Sequence, residues 1–279
     1  MAEITDLSDL INRCTGGNSG NPETAFFYKD ARVGSAAAVA TIAGRLTSLF
    51  QYTGIPSGPS TAPSLGNPTR ASDGALPITN ASGGRQKWCL GVSAAPLVAG
   101  TLIVYDRLIH GGGLSGTVTT AQACSQAVSR YTSTESAGNQ MWVEIYTAIG
   151  TTATTATVAY KNQAGTSKTT PSFSIGATGL REAQRLIPIP LAAGDTGVTE
   201  ITSITLAGTT GTAGDIGITV GRPLIVVPLS LAGCGSIRDL IAGLPGILEI
   251  KTDACLSFIW LANTTTAPQV YGSFHTVEK

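Results

Sequence analysis

The string that most invites a chemical reading is His110-Gly111-Gly112-Gly113. In some lipases and esterases such a run supplies the backbone N–H groups that hold an oxyanion. That chemistry also needs a serine on a strained turn, framed Gly-x-Ser-x-Gly. No serine here is framed that way, and Gly113-Leu114-Ser115-Gly116-Thr117 fails at its last position. The same segment satisfies Gly-x-Gly-x-x-Gly through Gly111, Gly113 and Gly116. A phosphate cradle of that kind opens a helix, but Thr117-Val118-Thr119-Thr120 is a β-branched run that starts one poorly. The sequence predicts a glycine-rich loop whose backbone adopts conformations closed to other residues.

Other constellations are equally incomplete. The two histidines, His110 and His275, stand far apart, and a metal site would need them to meet with carboxylates such as Asp106 or Asp253. No His-Glu-x-x-His, calcium loop or Gly-Lys phosphate loop supports one. Carboxylate pairs of the glycosidase kind are assembled from distant segments and leave no spacing to read. Asp106-Arg107 could form an ion pair between subunits or a local pair that pins the glycine loop. Trp88, Trp142 and Trp260 fall in predicted strands, where core packing is the expectation and sugar stacking the alternative. The five cysteines, at 14, 89, 124, 234 and 255, include no Cys-x-x-Cys pair and read as reduced, mostly buried apolar residues. No catalytic, cofactor-binding or metal-ligating residue is assigned, and the chain reads as non-enzymatic.

The elements that would position these residues are mainly β. Strands are predicted over 87–92, 101–109, 141–149, 155–161, 172–175, 185–189, 201–206, 216–220, 254–262 and 269–275, from β-branched and aromatic content between Gly, Asn, Asp and Pro punctuation. Met141, Val143 and Ile145 share one face and Trp142, Glu144 and Tyr146 the other. Leu186-Ile187-Pro188-Ile189-Pro190 carries two prolines and is expected at a sheet edge. Many short strands argue for an antiparallel β-sandwich or jelly-roll-like body over residues 85–279. Residues 1–84 read as a short helical segment and a Pro/Gly-rich arm. Ile4, Leu7, Leu10 and Ile11 recur at helical spacing, with Asp6 and Asp9 in the early turns. A second helix is predicted over 36–52 and a third over 236–242. The Pro-rich tract 54–84 reads as a linker or as an arm that orders when laid over a neighbour.

Composition narrows the function classes. Only 12% of the residues are charged, against roughly 25% in an average soluble domain. Lys+Arg and Asp+Glu both number 17, so the basic stripe of a nucleic-acid binder is missing. No basic amphipathic face suggests a membrane surface, and no apolar run is long enough to cross a bilayer. The acidic start, Met1-Ala2-Glu3-Ile4-Thr5-Asp6, lacks the regions of a signal peptide, so synthesis in the cytoplasm is expected. Low net charge promotes association.

A resemblance adds a context. Gly100-Thr101-Leu102-Ile103-Val104-Tyr105-Asp106-Arg107-Leu108, continued by His110 to Thr117, resembles structural proteins encoded in tailed-phage genomes. So do Val158 to Thr166, Pro190 to Val198 and Gly221-Arg222-Pro223-Leu224, and the likeness spans about residues 26–275. It implies a virion component and no chemistry. The expected role is a capsid decoration or cement protein whose partners are the major capsid protein and copies of itself, in a homo-oligomer. The alternative is a tail, neck or fibre component with a receptor- or glycan-binding role. Neither reading involves nucleic acid, membrane, small-molecule substrate or cofactor. Residues 1–84 are expected to supply much of the partner contact.

Overall fold

The computed structural model describes residues 6–32, 41–241 and 248–279. It is mainly β, with one short helix near the N-terminus and antiparallel sheets throughout. Helix α1 spans Leu7–Cys14, capped by the Asp6 carboxylate, which accepts from the Asp9 N–H at 2.8 Å. The strands that follow are β1 (Glu23–Asp30), β2 (Leu46–Ser48), β3 (Thr53–Ile55), β4 (Lys87–Pro96), β5 (Gly100–Ile109) and β6 (Gln122–Ala127). Then come β7 (Gln140–Thr147), β8 (Thr154–Asn162), β9 (Ser167–Thr169), β10 (Phe173–Ile175), β11 (Arg185–Ile189) and β12 (Val198–Leu206). The last are β13 (Asp215–Leu229), β14 (Ser236–Asp239), β15 (Leu248–Ile250), β16 (Leu256–Ala262) and β17 (Gln269–Glu278).

Among the described residues these strands make three layers. A closed barrel, β11-β2-β16-β5-β13-β7, lies between two open sheets. One is six-stranded, ordered β14-β4-β17-β1-β3 with β15 also on β4. The other is five-stranded, ordered β10-β8-β12-β6 with β9 also on β8. Phe27, Val92 and Phe274 of the six-stranded sheet share one core with Leu102, Val104, Phe258 and Trp260 of the barrel. Val158, Tyr160, Ile201 and Ile204 of the five-stranded sheet share the other with Val143, Ile145, Ile216 and Ile218. Strand β13 stitches the layers together: its first half enters the second core, and after two register shifts Ile225, Val227 and Leu229 enter the first.

The period-2 alternation read in β7 becomes the two sides of the barrel wall. Met141, Val143 and Ile145 face the sheet outside, whereas Trp142 packs with Tyr105, Leu186 and Ile259 within. Trp142 and Trp260 are core residues, while Trp88 is half-buried. All five cysteines are unbridged: Cys89, Cys124 and Cys255 are buried, and Cys234 is exposed.

Several expectations are corrected. The division at residue 84 does not hold, because β1 pairs with β17 and β3, and β2 closes the barrel between β11 and β16. Phe26-Phe27-Tyr28 supplies the aromatic content of an interior strand. Where it is described, the helix predicted over 36–52 is a turn and strand β2; residues 36–40 lie outside the described residues, as does Ile4. Residues 236–239 form β14, because their backbone pairs with β4, and pairing outweighs a weak helical pattern. Strand β11 is no sheet edge. It pairs with β7 along Leu186 to Ile189 but with β2 only at Arg185 and Leu186, so Pro188 lies past the second ladder.

Candidate functional site

The Pro-rich tract is folded back on its own barrel. His110 and Gly66 exchange backbone hydrogen bonds, each 3.0 Å. The Gly112 N–H donates to Pro63 O at 2.9 Å, and the Asn67 amide donates to Leu108 O and Ala127 O, each at 2.8 Å. Arg130 and Arg107 reach the carbonyls of Pro68 and Asp73, both at 3.0 Å. The glycine run now has its reason. A Cβ on Gly111 would lie 2.4 Å from Leu65 Cα, and one on Gly112 would lie 2.5 Å from Ala62 Cβ. Only glycine allows the tract to come this close. The arm read in 54–84 is therefore, over residues 57–74, part of the body. Its proline content lowers the entropy lost in ordering it, and its backbone groups find partners on the barrel.

Beneath this tract lies a buried polar cluster. Arg107 Nη1 donates to His110 Nδ1 at 3.0 Å, and His110 Nε2 stands 3.1 Å from Glu144 Oε2. A guanidinium has no acceptor, so Nδ1 accepts and Nε2 carries the proton toward Glu144. Thr219 Oγ1 donates to the same carboxylate oxygen at 2.5 Å. Burial and the Arg107 charge hold His110 down at about 4, so the ring is neutral near pH 7. Burial opposes the charge on Glu144, yet His110 and the Ser48 and Thr219 hydroxyls outweigh it and bring the carboxyl to about 2. Lys29, also buried, donates to Tyr52 O at 2.9 Å, and burial with the Arg107 charge lowers it to about 7.

Asp106 and Arg107 point to opposite sides of β5 and do not pair with each other. Asp106 meets Arg130 in a buried ion pair, 2.7 Å, and accepts the Cys255 N–H at 2.9 Å. Burial raises its carboxyl above the ordinary value despite Arg130. Both residues are fully buried in their own chain, which overturns an ion pair between subunits. His275 is remote from His110, bonded instead to Thr24 and Ser273 on the outer face of β17. Among the described residues no cluster of His, Cys, Asp and Glu is placed to hold a metal.

This arrangement suits holding more than turnover. Both His110 nitrogens are engaged inward, so neither is presented to a reactant. The amides an oxyanion hole would use are spent: Gly112 donates to Pro63 O, and Gly113 donates to Asp215 Oδ1 at 2.7 Å. The cluster clamps the mouth of the barrel. Sequence reasoning missed the union of His110 with Glu144, because one follows β5 and the other lies on β7. One signal was present: an acid at position 144 on the same strand face as Trp142 and Tyr146 needs a buried partner if that face points inward.

A second candidate is a surface. Register places Ile55, Tyr28, Tyr271 and Ala95 in one row across the outer side of the six-stranded sheet. Phe26, Ser273, Ser93 and Ile237 form the next row, and Thr24, His275, Gly91 and Asp239 the one after. Phe26 is 53% exposed, Tyr271 44% and Ile237 76%. The two rows holding them carry no formal charge; the Asp30–Arg32 pair at 2.8 Å stands at one end. The matching side of the five-stranded sheet is different: Thr157 opposes Thr205, Ala159 opposes Ser203, and Lys161 pairs with Glu200 at 2.7 Å.

No family model matches the chain. No curated protein matches it either. Among solved structures it has a likeness to one described as "Structure of infectious bursal disease virus Gt strain", at 14% identity and a TM-score of 0.15. The match covers 93% of this chain and 62% of that one, so the chain spans less than two thirds of the structure it matches. A score that low carries no argument about fold or function.

Proposed function

We propose that this chain is a non-enzymatic structural protein of a tailed-phage particle, which binds the assembled capsid shell as a decoration or cement protein. The observation that carries the reading is the uncovered outer side of the six-stranded sheet, with Phe26, Ile55, Tyr271 and Ile237 exposed between neutral hydroxyls. Exposed apolar side chains gathered on one flat, uncharged face mark an interaction site, whereas scattered ones do not. Buried apolar area contributes about 25 cal/mol per Å², so a modest contact repeated over a shell adds a large total. The inward-turned His110 and the spent glycine amides support a passive role. On this reading the contact falls on the sheet face, to which residues 1–84, expected from the sequence to supply much of it, contribute Phe26 and Ile55.

The test is co-sedimentation with assembled heads, comparing the native chain with Phe26→Asp/Tyr271→Asp. Loss of binding in the variant, with a Thr157→Asp/Thr205→Asp control unaffected, supports the reading. Undiminished binding by the first variant sinks it. Copy number separates the alternative: hundreds of copies per virion indicate a shell protein, and a handful a tail, neck or fibre component.

A further inference from the structure

We infer that the cavity between the Pro-rich tract and the mouth of the barrel is a binding site for a neutral sugar. This rests on different residues from the sheet face and does not depend on the role proposed above. The cavity measures about 480 Å³, within the roughly 300–1,000 Å³ of small-molecule sites. Phe50 and His110 line it on the barrel side, and residues of the 59–73 segment form its wall.

The wall is fixed before any ligand arrives. Gly66, Asn67, Pro68 and Asp73 are each tied to the barrel through the hydrogen bonds described above, and Gln51 donates to Ser60 O at 2.6 Å. A wall already ordered spares a ligand the entropy of ordering it.

The lining selects the chemistry. Pro59, Pro63 and Pro68, each half-buried, offer flat apolar surfaces of the kind that take the C–H side of a pyranose, over a floor formed by the buried Phe50. Thr61 and Ser64 contribute hydroxyls and Asp73 a carboxylate; among the described residues none of these three side chains is spent on a partner in the chain. Ser72 Oγ accepts from the Thr69 N–H and keeps its own proton to donate. A carboxylate with hydroxyls around it accepts from, and donates to, vicinal hydroxyl groups. No lysine or arginine lines the cavity, so a phosphate or carboxylate ligand would face Asp73 without compensation. Its polar lining does not suit a purely apolar ligand either. The arrangement fits an uncharged ring with hydroxyls on its rim.

The experiment is saturation-transfer NMR on the full chain with the methyl glycosides of glucose, galactose, mannose and N-acetylglucosamine. Inorganic phosphate and hexanoate serve as controls. At least one glycoside is expected to bind with a dissociation constant of about 1 mM, and the controls are not. Asp73→Ala should weaken binding roughly tenfold. Ser64→Trp, at an exposed position on the rim, should abolish it and leave the melting temperature unchanged, which keeps the test decisive if Asp73→Ala disturbs the fold. Phe26→Asp/Tyr271→Asp should bind the sugar as the native chain does. The inference is overturned if no glycoside binds, if phosphate or hexanoate is preferred, or if Ser64→Trp binds undiminished.

Discussion

The interior of the barrel holds two regions built on opposite principles. In one, Leu46, Ile103, Leu186 and Ile259 pack around the Tyr105 and Trp142 rings, whose centroids are 6.0 Å apart. In the other, Glu144, Thr219, His110 and Arg107 fill the space with charge and hydrogen bonds. Leu186 and Glu144 are register partners on adjacent strands, so the boundary between the regions runs through neighbouring residues. Apolar filling is tolerant, because a lost contact leaves a void and nothing unsatisfied. Polar filling is exacting, because each member leaves its partners unpaired when removed. The same space can thus be filled with forgiving or unforgiving chemistry, and the unforgiving part stands where the Pro-rich tract is anchored.

The largest expected effect is Glu144→Ala. It leaves the His110 Nε2–H and the Thr219 hydroxyl without their acceptor and removes a buried anion that interacts with the Arg107 charge. Two buried donors left unsatisfied cost about 1–3 kcal/mol each. Chemical denaturation should show that loss, together with increased proteolysis within 57–74. Leu186→Ala, across the boundary, should cost about 3 kcal/mol through lost transfer and cavity energy, with no change in protease sensitivity of the tract. Equal exposure of 57–74 in both variants would break the comparison.

Little of this contrast was legible in the sequence. The strand pattern was, because β-branched alternation survives in β5, β7, β8 and β12 whatever packs against it. The helix at Leu7–Cys14 was, because Asp6 and the 3.6-residue spacing are local signals. The barrel was not: closure depends on β2, a strand of three residues too short to carry a strand pattern of its own, paired with β11 and β16 from far along the chain. The polar cluster was hidden for the same reason. His110 and Glu144 meet through β5, β13 and β7, and no spacing records that. The glycine run was legible as a need for small residues but not as the bed of a tract from 62–65.

Acid should divide the regions next. The unfolded chain takes up a proton on a histidine near the ordinary 6.5, whereas folded His110 does so at about 4. Stability therefore falls as pH drops from 6.5 to 4 and is indifferent to this residue below that. Glu144, ordinarily near 4.5, is held at about 2, so its contribution is present above 4.5 and drains away as pH falls toward 2. Together they predict a loss of roughly 4 kcal/mol by pH 4, with most of it due to His110. Leu186→Ala should displace this curve without changing its slope. A His110→Gln chain should lose the slope between pH 6.5 and 4; retention of that slope would show that other groups set it.

The smallest effect tests how far the polar region acts as a unit. Thr219→Val keeps the shape of the side chain and removes one hydroxyl, which donates to Glu144 at 2.5 Å. A hydrogen bond to a charged group contributes about 1.5–3 kcal/mol, and the low end applies because His110 and Ser48 still serve the same carboxylate. With one of its hydrogen bonds gone, the Glu144 carboxyl must rise from about 2, moving its part of the acid transition to higher pH. That shift, and not the modest loss at neutral pH, is the informative readout. A wholly structural threonine would lower stability equally at every pH, whereas for one that holds the anion the deficit against the native chain is full above pH 4.5 and shrinks as pH falls toward 2, where the carboxyl is protonated in both.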